Sequence, residues 1–141
     1  MTCAISVLLV DDHPLLRKCL RRMLEDDLDL AVVGQASNGA EAVELARELA
    51  PQVIVMDVAM PVMDGIQAAR QILRLAPATA ILMLSMSAEE ACVRDAFEAG
   101  AQGYLLKRAA GFDLSSAVKA VATGGRVLDL GDELRDPPNL S

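Results

Sequence analysis

Aromatic side chains are almost missing from this chain. Tryptophan is absent, and the only rings besides the single histidine are Phe97, Tyr104 and Phe112. A platform for single-stranded nucleic acid stacks bases on aromatic faces, so that class is excluded. Basic residues are also in the minority: 13 against 20 acidic ones leaves a net charge of −7. A surface that tracks duplex phosphates needs clustered lysine and arginine, and no nucleic acid is expected on this chain itself. No apolar run approaches the ~20 residues of a membrane helix. Strand-like sequence begins a few residues after Met1, which leaves no room for a signal peptide, so the expected location is the cytoplasm. Cys3, Cys19 and Cys92 are odd in number and widely spaced, with no Cys-x-x-Cys or Cys/His pattern. They read as small core-filling thiols in a reducing compartment. His13, the one histidine, reads as a solvent-facing residue beside Pro14, because metal sites need clustered partners.

What is present is a regular exchange of two periods. Strand-like runs lie near 5–10, 30–36, 53–57, 80–85 and 103–106, and helix-like stretches fill 14–26, 39–49, 65–76, 88–99 and 112–123. Alternation of this kind predicts an α/β fold with a parallel sheet. The first, third and fourth strands are continuous apolar runs, as expected when helices cover both faces. Pro14 suits the first turn of a helix, where a missing N–H does no harm. Each helix carries an apolar stripe: Leu16, Leu20, Met23 and Leu24 in the first; Ala42, Ala46 and Leu49 in the second; Ile66, Ala69, Ile72 and Leu73 in the third. The fourth offers Val93, Ala96 and Phe97, and the fifth Leu114, Ala117, Val118 and Val121. A chain of 141 residues suits one domain that buries about two-thirds of its unfolded surface. After Arg126 the pattern fades into an acidic stretch ending at Pro137-Pro138, so 127–141 reads as linker or disordered tail.

The strand ends carry the chemistry. The first run closes in Asp11-Asp12, the third in Asp57, the fourth in Ser85, and the fifth reaches Lys107. In an open parallel sheet these C-terminal ends share one edge, where ligands bind at the point of topological reversal. Carboxylates gathered there repel one another, and a pair ~4 Å apart costs about 4 kcal/mol at an effective dielectric near 20. Such a cluster calls for a divalent cation. Taken singly, Asp57 reads as a turn residue, Ser85 as a strand-end hydroxyl and Lys107 as a solvated charge. Asp64, ahead of Gly65, reads as a turn-former.

Four segments in order, Val10-Asp11-Asp12-His13-Pro14, Met56-Asp57 through Met60-Pro61 to Asp64-Gly65, Leu84-Ser85, and Gly103-Tyr104-Leu105-Leu106-Lys107, resemble the receiver domain of two-component response regulators. The likeness covers roughly Ile5 to Arg126 and is similar in detail to the LuxR-like, or NarL/FixJ, subgroup. It implies a flavodoxin-like three-layer sandwich, with a five-stranded parallel sheet of order 2-1-3-4-5 and five helices, occupying 1–126. It implies that Asp57 is the phosphoacceptor for a sensor histidine kinase, and that Mg²⁺ is the cofactor. Asp12 and Asp57 would bind the metal directly, Asp11 through water, and Ala59 through its backbone carbonyl. Lys107 would pair with phosphoryl oxygens, Ser85 would donate its hydroxyl to them, and Tyr104 would turn inward to carry the signal. Catalysis would be limited to self-phosphorylation and self-dephosphorylation, without turnover of a substrate.

The output implied is transcription regulation through a DNA-binding domain absent from this chain. Homodimerisation fits either the fourth-to-fifth or the first-to-fifth helix face. Two other readings compete: a stand-alone receiver or pseudo-receiver acting as an interaction adaptor, and an aspartate-nucleophile phosphohydrolase. The hydrolase usually carries Asp-x-Asp on its first strand, and here that strand ends Asp11-Asp12.

Overall fold

The computed structural model describes residues 4–107 and 113–130 in full and 133–134 by their backbone. Five strands alternate with five helices: β1 (Ile5–Val10), α1 (Pro14–Glu25), β2 (Leu30–Ala36), α2 (Gly39–Leu49), β3 (Val53–Asp57), α3 (Gly65–Leu75), β4 (Ala80–Ser85), α4 (Glu90–Glu98), β5 (Gly103–Leu106) and α5 (Leu114–Ala122). Two short strands follow, β6 (Val127–Leu130) and β7 (Glu133–Leu134). One sheet holds all seven strands in the order β2-β1-β3-β4-β5-β6-β7. Pairing is parallel from β2 through β6, and β7 returns antiparallel on β6. The first five strands thus take the expected 2-1-3-4-5 arrangement.

The sixth strand departs from the sequence reading, which placed Val127–Leu130 in an acidic linker. Tyr104 of β5 pairs in register with Leu128. Leu128 and Leu130 are buried and join the core on one sheet face, while Val127 and Asp129 are only partly covered. This two-residue alternation is a strand signal. Four residues with an aspartate inside are too short to stand out from acidic neighbours. The remainder of the tail, 131–132 and 135–141, lies outside the described residues, as do Cys3 and Phe112.

Side chains alternate between two apolar layers, one on each side of the sheet. On one face Leu8, Val10, Ile54, Met56, Ile81 and Met83 meet α2, α3 and α4 through Ala42, Ala46, Ala68, Ala69, Ile72, Val93, Ala96 and Phe97. On the other, Val7, Leu9, Val53, Val55, Leu82 and Leu84 meet α1 and α5 through Leu20, Leu24, Leu114, Val118 and Val121. Both faces of β3, β4 and β5 are therefore covered, and every residue of these strands is buried. Leu49 is the one stripe residue that stays substantially exposed. It ends α2 above Gly34 of the edge strand β2, where a methyl of Leu49 fills the space a Cβ would take. Among the described residues no strand pairs with the outer side of β2.

Helix starts follow local chemistry. Asn38 caps α2 by accepting from the Glu41 N–H, and Asp64 caps α3 by accepting from the Gln67 N–H at 2.8 Å. Asp64 is thus the turn-forming cap expected. Gly65 permits the close return of α3 to the sheet. A Cβ there would stand 2.2 Å from the Asp57 carbonyl oxygen and 3.0 Å from Val58 Cα, both backbone atoms. Its N–H donates to the Val58 carbonyl at 2.8 Å, which ties the helix start to the end of β3.

Candidate functional site

Asp57 is the last residue of β3, and its neighbour in register on β4 is Leu84, so Ser85 stands one residue beyond it. Lys107 follows the last residue of β5, and Asp11 follows the last residue of β1. The parallel sheet consequently brings Asp11, Asp57 and Lys107 to one edge. Lys107 Nζ lies 2.8 Å from Asp57 Oδ2 and 3.1 Å from Asp11 Oδ2. All three side chains are buried, with Asp57 only 2% exposed. The second oxygen of Asp57 accepts from the Ala59 N–H at 3.2 Å.

Burial pushes the Asp57 carboxyl upward, and the Lys107 hydrogen bond and charge pull it back, leaving the net direction up. Burial acts against the ammonium of Lys107, but hydrogen bonding to Asp57 and the fields of Asp57 and Asp11 carry it above its usual value. Lys107 therefore remains a cation between two carboxylates.

Ligand atoms of Asp11, Asp12, His13 and Asp57 all lie within 4.8 Å of one another. Two of the carboxylate oxygens there, Asp11 Oδ2 and Asp12 Oδ1, are buried without a hydrogen bond. Lys107 is near enough to Asp11 Oδ2 for ionic attraction, yet the contact lacks hydrogen-bond direction. Buried anionic oxygens without donors are costly. A hard divalent cation removes that cost, and a few carboxylates plus water suit Mg²⁺. The residues present fit the metal. His13 is exposed as expected, but its Nδ1 also sits 3.3 Å from Asp11 Oδ1 and 3.2 Å from Asp12 Oδ1. The sequence reading had given it no place at the site.

Ser85 is buried, and its Oγ accepts from the Ser87 N–H at 3.0 Å. Tyr104 is fully buried. Its hydroxyl donates to the Ser87 carbonyl at 2.6 Å and lies 3.3 Å from Cys92 Sγ. Burial drives this phenol well above its usual pKa, so it stays protonated as a donor. These contacts satisfy the one polar atom of the ring, which is why the inward position is tolerated. The Tyr104 contact of Cys92, and Arg17, whose guanidinium donates to the Asp11 carbonyl at 2.6 Å, are not marked in the sequence. No spacing rule marks either of them. Among the described residues no helix is long and apolar enough to cross a membrane.

The chain is similar to known proteins over most of its length. The family model described as "Response regulator receiver domain" matches residues 7–119. The response regulator UvrY of Escherichia coli (strain K12) is 43% identical over 124 residues, which are 88% of this chain and 57% of UvrY. The transcriptional regulatory protein LiaR of Bacillus subtilis (strain 168) is 42% identical over 120 residues, 85% of this chain and 57% of LiaR. The chain thus spans somewhat over half the length of these relatives. Among solved structures, a LuxR-family two-component response regulator from Aurantimonas sp. SI85-9A1 superposes with a TM-score of 0.84 at 39% identity, covering 88% of this chain and 89% of that one. With an acidic pocket and a lysine at the C-terminal edge of a 2-1-3-4-5 sheet, and with relatives of the LuxR/NarL type, the chain belongs to the response regulator receiver family.

Proposed function

We propose that Asp57 accepts a phosphoryl group from a phosphohistidine of a sensor histidine kinase, in a step that depends on Mg²⁺. The observation that carries this reading is the meeting of Asp57, the Lys107 ammonium and the carboxylates of Asp11 and Asp12 at one place. Asp12 and Asp57 would hold the metal directly, with the Ala59 carbonyl, and Asp11 would act through water. The metal, when bound, supplies charge neutralisation for the phosphoryl oxygens.

An Asp57 carboxylate oxygen attacks phosphorus, and the bond from phosphorus to the imidazole nitrogen breaks. That nitrogen keeps the electron pair and takes up a proton. An acyl phosphate on Asp57 results, which water later hydrolyses. Phosphoryl transfer offers little covalent work to the protein, so positioning and charge decide the rate. Lys107 now spends its charge on Asp57 Oδ2, and transfer requires it to turn to the incoming phosphoryl oxygens. Its compact ammonium on a flexible stem suits such an exchange. Ser85 would donate its hydroxyl to the phosphoryl group.

The relay is proposed to run through the Tyr104 hydroxyl contacts with Ser87 and Cys92, before and within α4. A ligand shifts such an equilibrium only by its differential contacts with the two states. We take the receiver unit to include β6, supported by its pairing with β5 and the burial of Leu128 and Leu130. The location is proposed to be cytoplasmic and the output transcriptional, since the relatives include a transcriptional regulatory protein. DNA contact then falls to a domain outside these residues, and homodimerisation is part of the proposal.

Incubation with a small-molecule phosphodonor tests the reading. Label should appear with Mg²⁺, disappear with EDTA and be lost in Asp57→Asn. Failure to form either this adduct or a beryllofluoride complex would point instead to an interaction adaptor. Steady release of phosphate at many turnovers would revive the hydrolase reading.

A further inference from the structure

Asp11 is fixed at three polar atoms by groups already described or close to them. Its N–H donates to the Ala36 carbonyl at the end of β2 at 3.1 Å, and its Oδ1 accepts from the His13 N–H at 2.8 Å. Its Oδ2 faces Lys107. The fourth atom, the main-chain carbonyl oxygen, is taken by Arg17, whose Nη1 donates to it at 2.6 Å. Arg17 lies one turn inside α1, where its own N–H donates to the His13 carbonyl at 2.9 Å. Its side chain therefore folds back over the first turn to grip the loop that precedes its own helix.

The usual device for that junction is missing. His13 occupies the N-cap position without a side-chain cap bond, and Pro14 supplies no N–H to the first turn. Arg17 ties the junction from the other direction. The carbonyl it holds belongs to the peptide that joins Asp11 to Asp12. Because a peptide group is planar, holding its oxygen also fixes the direction in which Asp12 leaves the strand. Asp12 carries one of the two buried carboxylate oxygens that lack a donor.

We propose that Arg17 is a positioning residue for the metal site: through the Asp11 carbonyl, it holds the Asp12 carboxylate where a divalent cation needs it. The inference rests on the Mg²⁺ reading of the acidic cluster. Two physical effects oppose each other here. The Arg17 charge repels a cation, so charge alone dictates that removing it tightens Mg²⁺ binding. Positioning dictates the reverse, and groups that orient metal ligands are commonly worth ten- to a hundredfold in affinity. The second effect is the one the geometry favours, since the guanidinium contacts a backbone oxygen rather than the carboxylates.

Calorimetric titration of the full chain with MgCl₂, on wild type and Arg17→Met, separates them. Arg17→Met should raise the Mg²⁺ dissociation constant about tenfold. Its phosphorylation rate at saturating Mg²⁺ should stay within about twofold of wild type, the signature of binding lost equally from the ground and transition states. Equal or tighter Mg²⁺ binding in Arg17→Met would overturn the proposal, and so would a lower saturated rate with unchanged affinity. Should Arg17→Met fail to fold, Arg17→Lys keeps the charge but offers a single-point donor. It should bind Mg²⁺ a few-fold more weakly, and wild-type affinity in that variant would also overturn the role of Arg17. A wild-type chain that does not bind Mg²⁺ removes the metal site itself. A wild type that binds, beside an Arg17→Met that binds equally well, removes only the positioning role.

Discussion

Replacing Lys107 by methionine keeps most of the stem and deletes the charge, leaving Asp11 and Asp57 buried side by side. At 2.8 Å and 3.1 Å the ammonium has a gross attraction of about 5–6 kcal/mol to each carboxylate at an effective dielectric near 20. Desolvation of three buried groups cancels much of that, so the relevant figure is the loss on breaking a buried pair, about 3–5 kcal/mol. Against a typical domain stability of about 5–15 kcal/mol, this is a large fraction. Urea unfolding followed by far-ultraviolet circular dichroism in EDTA reads it directly, and no tryptophan is needed. Mg²⁺ should recover part of the deficit, because a cation then replaces the ammonium as counter-charge. The midpoint should therefore move further with Mg²⁺ in Lys107→Met than in wild type.

The pH dependence has a definite sign. Asp57 is already held above its usual value by burial, and the variant loses the lysine that opposes this. A carboxyl raised in the folded state supports folding while protonated, and that support is lost as pH rises through its folded pKa. The deficit of Lys107→Met should be largest near neutrality and should shrink on acidification. A variant within about 0.5 kcal/mol of wild type in EDTA at neutral pH would refute the idea that these three charges balance one another.

Gly65→Ala places a methyl against the backbone of Asp57 and Val58. Neither can yield as a flexible side chain would, so about 1–3 kcal/mol of overpacking should lower the melting temperature and slow labelling of Asp57; wild-type values for both would contradict the close approach. Leu128→Ala should cost about 2 kcal/mol in urea unfolding if β6 is part of the core, whereas a linker residue would change stability by less than about 0.5 kcal/mol. Asp27 is held below its usual pKa by its hydrogen bond from Lys119, 2.7 Å away on α5. The stabilisation from this link should be complete above the ordinary aspartate range and fade as pH falls through the depressed value. Carboxyl NMR titration checks the direction, and an Asp27 that titrates at or above its ordinary value would contradict it.

The ten principal elements were legible because their hydrophobic periods are clean. Ala80–Ser85 has no polar residue before its last position, and Gly65–Leu75 carries its apolar residues at helical spacing. The pocket was legible for a related reason: parallel strands deliver their last residues to one edge, so Asp11, Asp57 and Lys107 meet once the strands are placed. β6 was hidden by its length and by Asp129, since burial of Leu128 and Leu130 depends on β5 already lying alongside. The role of Arg17, the Tyr104 contact of Cys92 and the contacts of His13 were invisible for another reason. Each depends on where a side chain folds back over a turn or across to a neighbouring strand, and hydrophobic period carries no such information. The inward seat of Tyr104 is similar, being set by acceptors at Ser87 and Cys92 rather than by the strand pattern.

The claim on which everything else stands is that the carboxylate gripped by Lys107 is the one that receives phosphorus. Treating the Mg²⁺-loaded chain with a phosphodonor, trapping the product with borohydride and mapping the reduced residue by mass spectrometry addresses it without a kinase. The account predicts a single modified position, Asp57, with no reduction product when Mg²⁺ is withheld. Reduction at Asp11 or Asp12 instead, or at no residue at all, would contradict it.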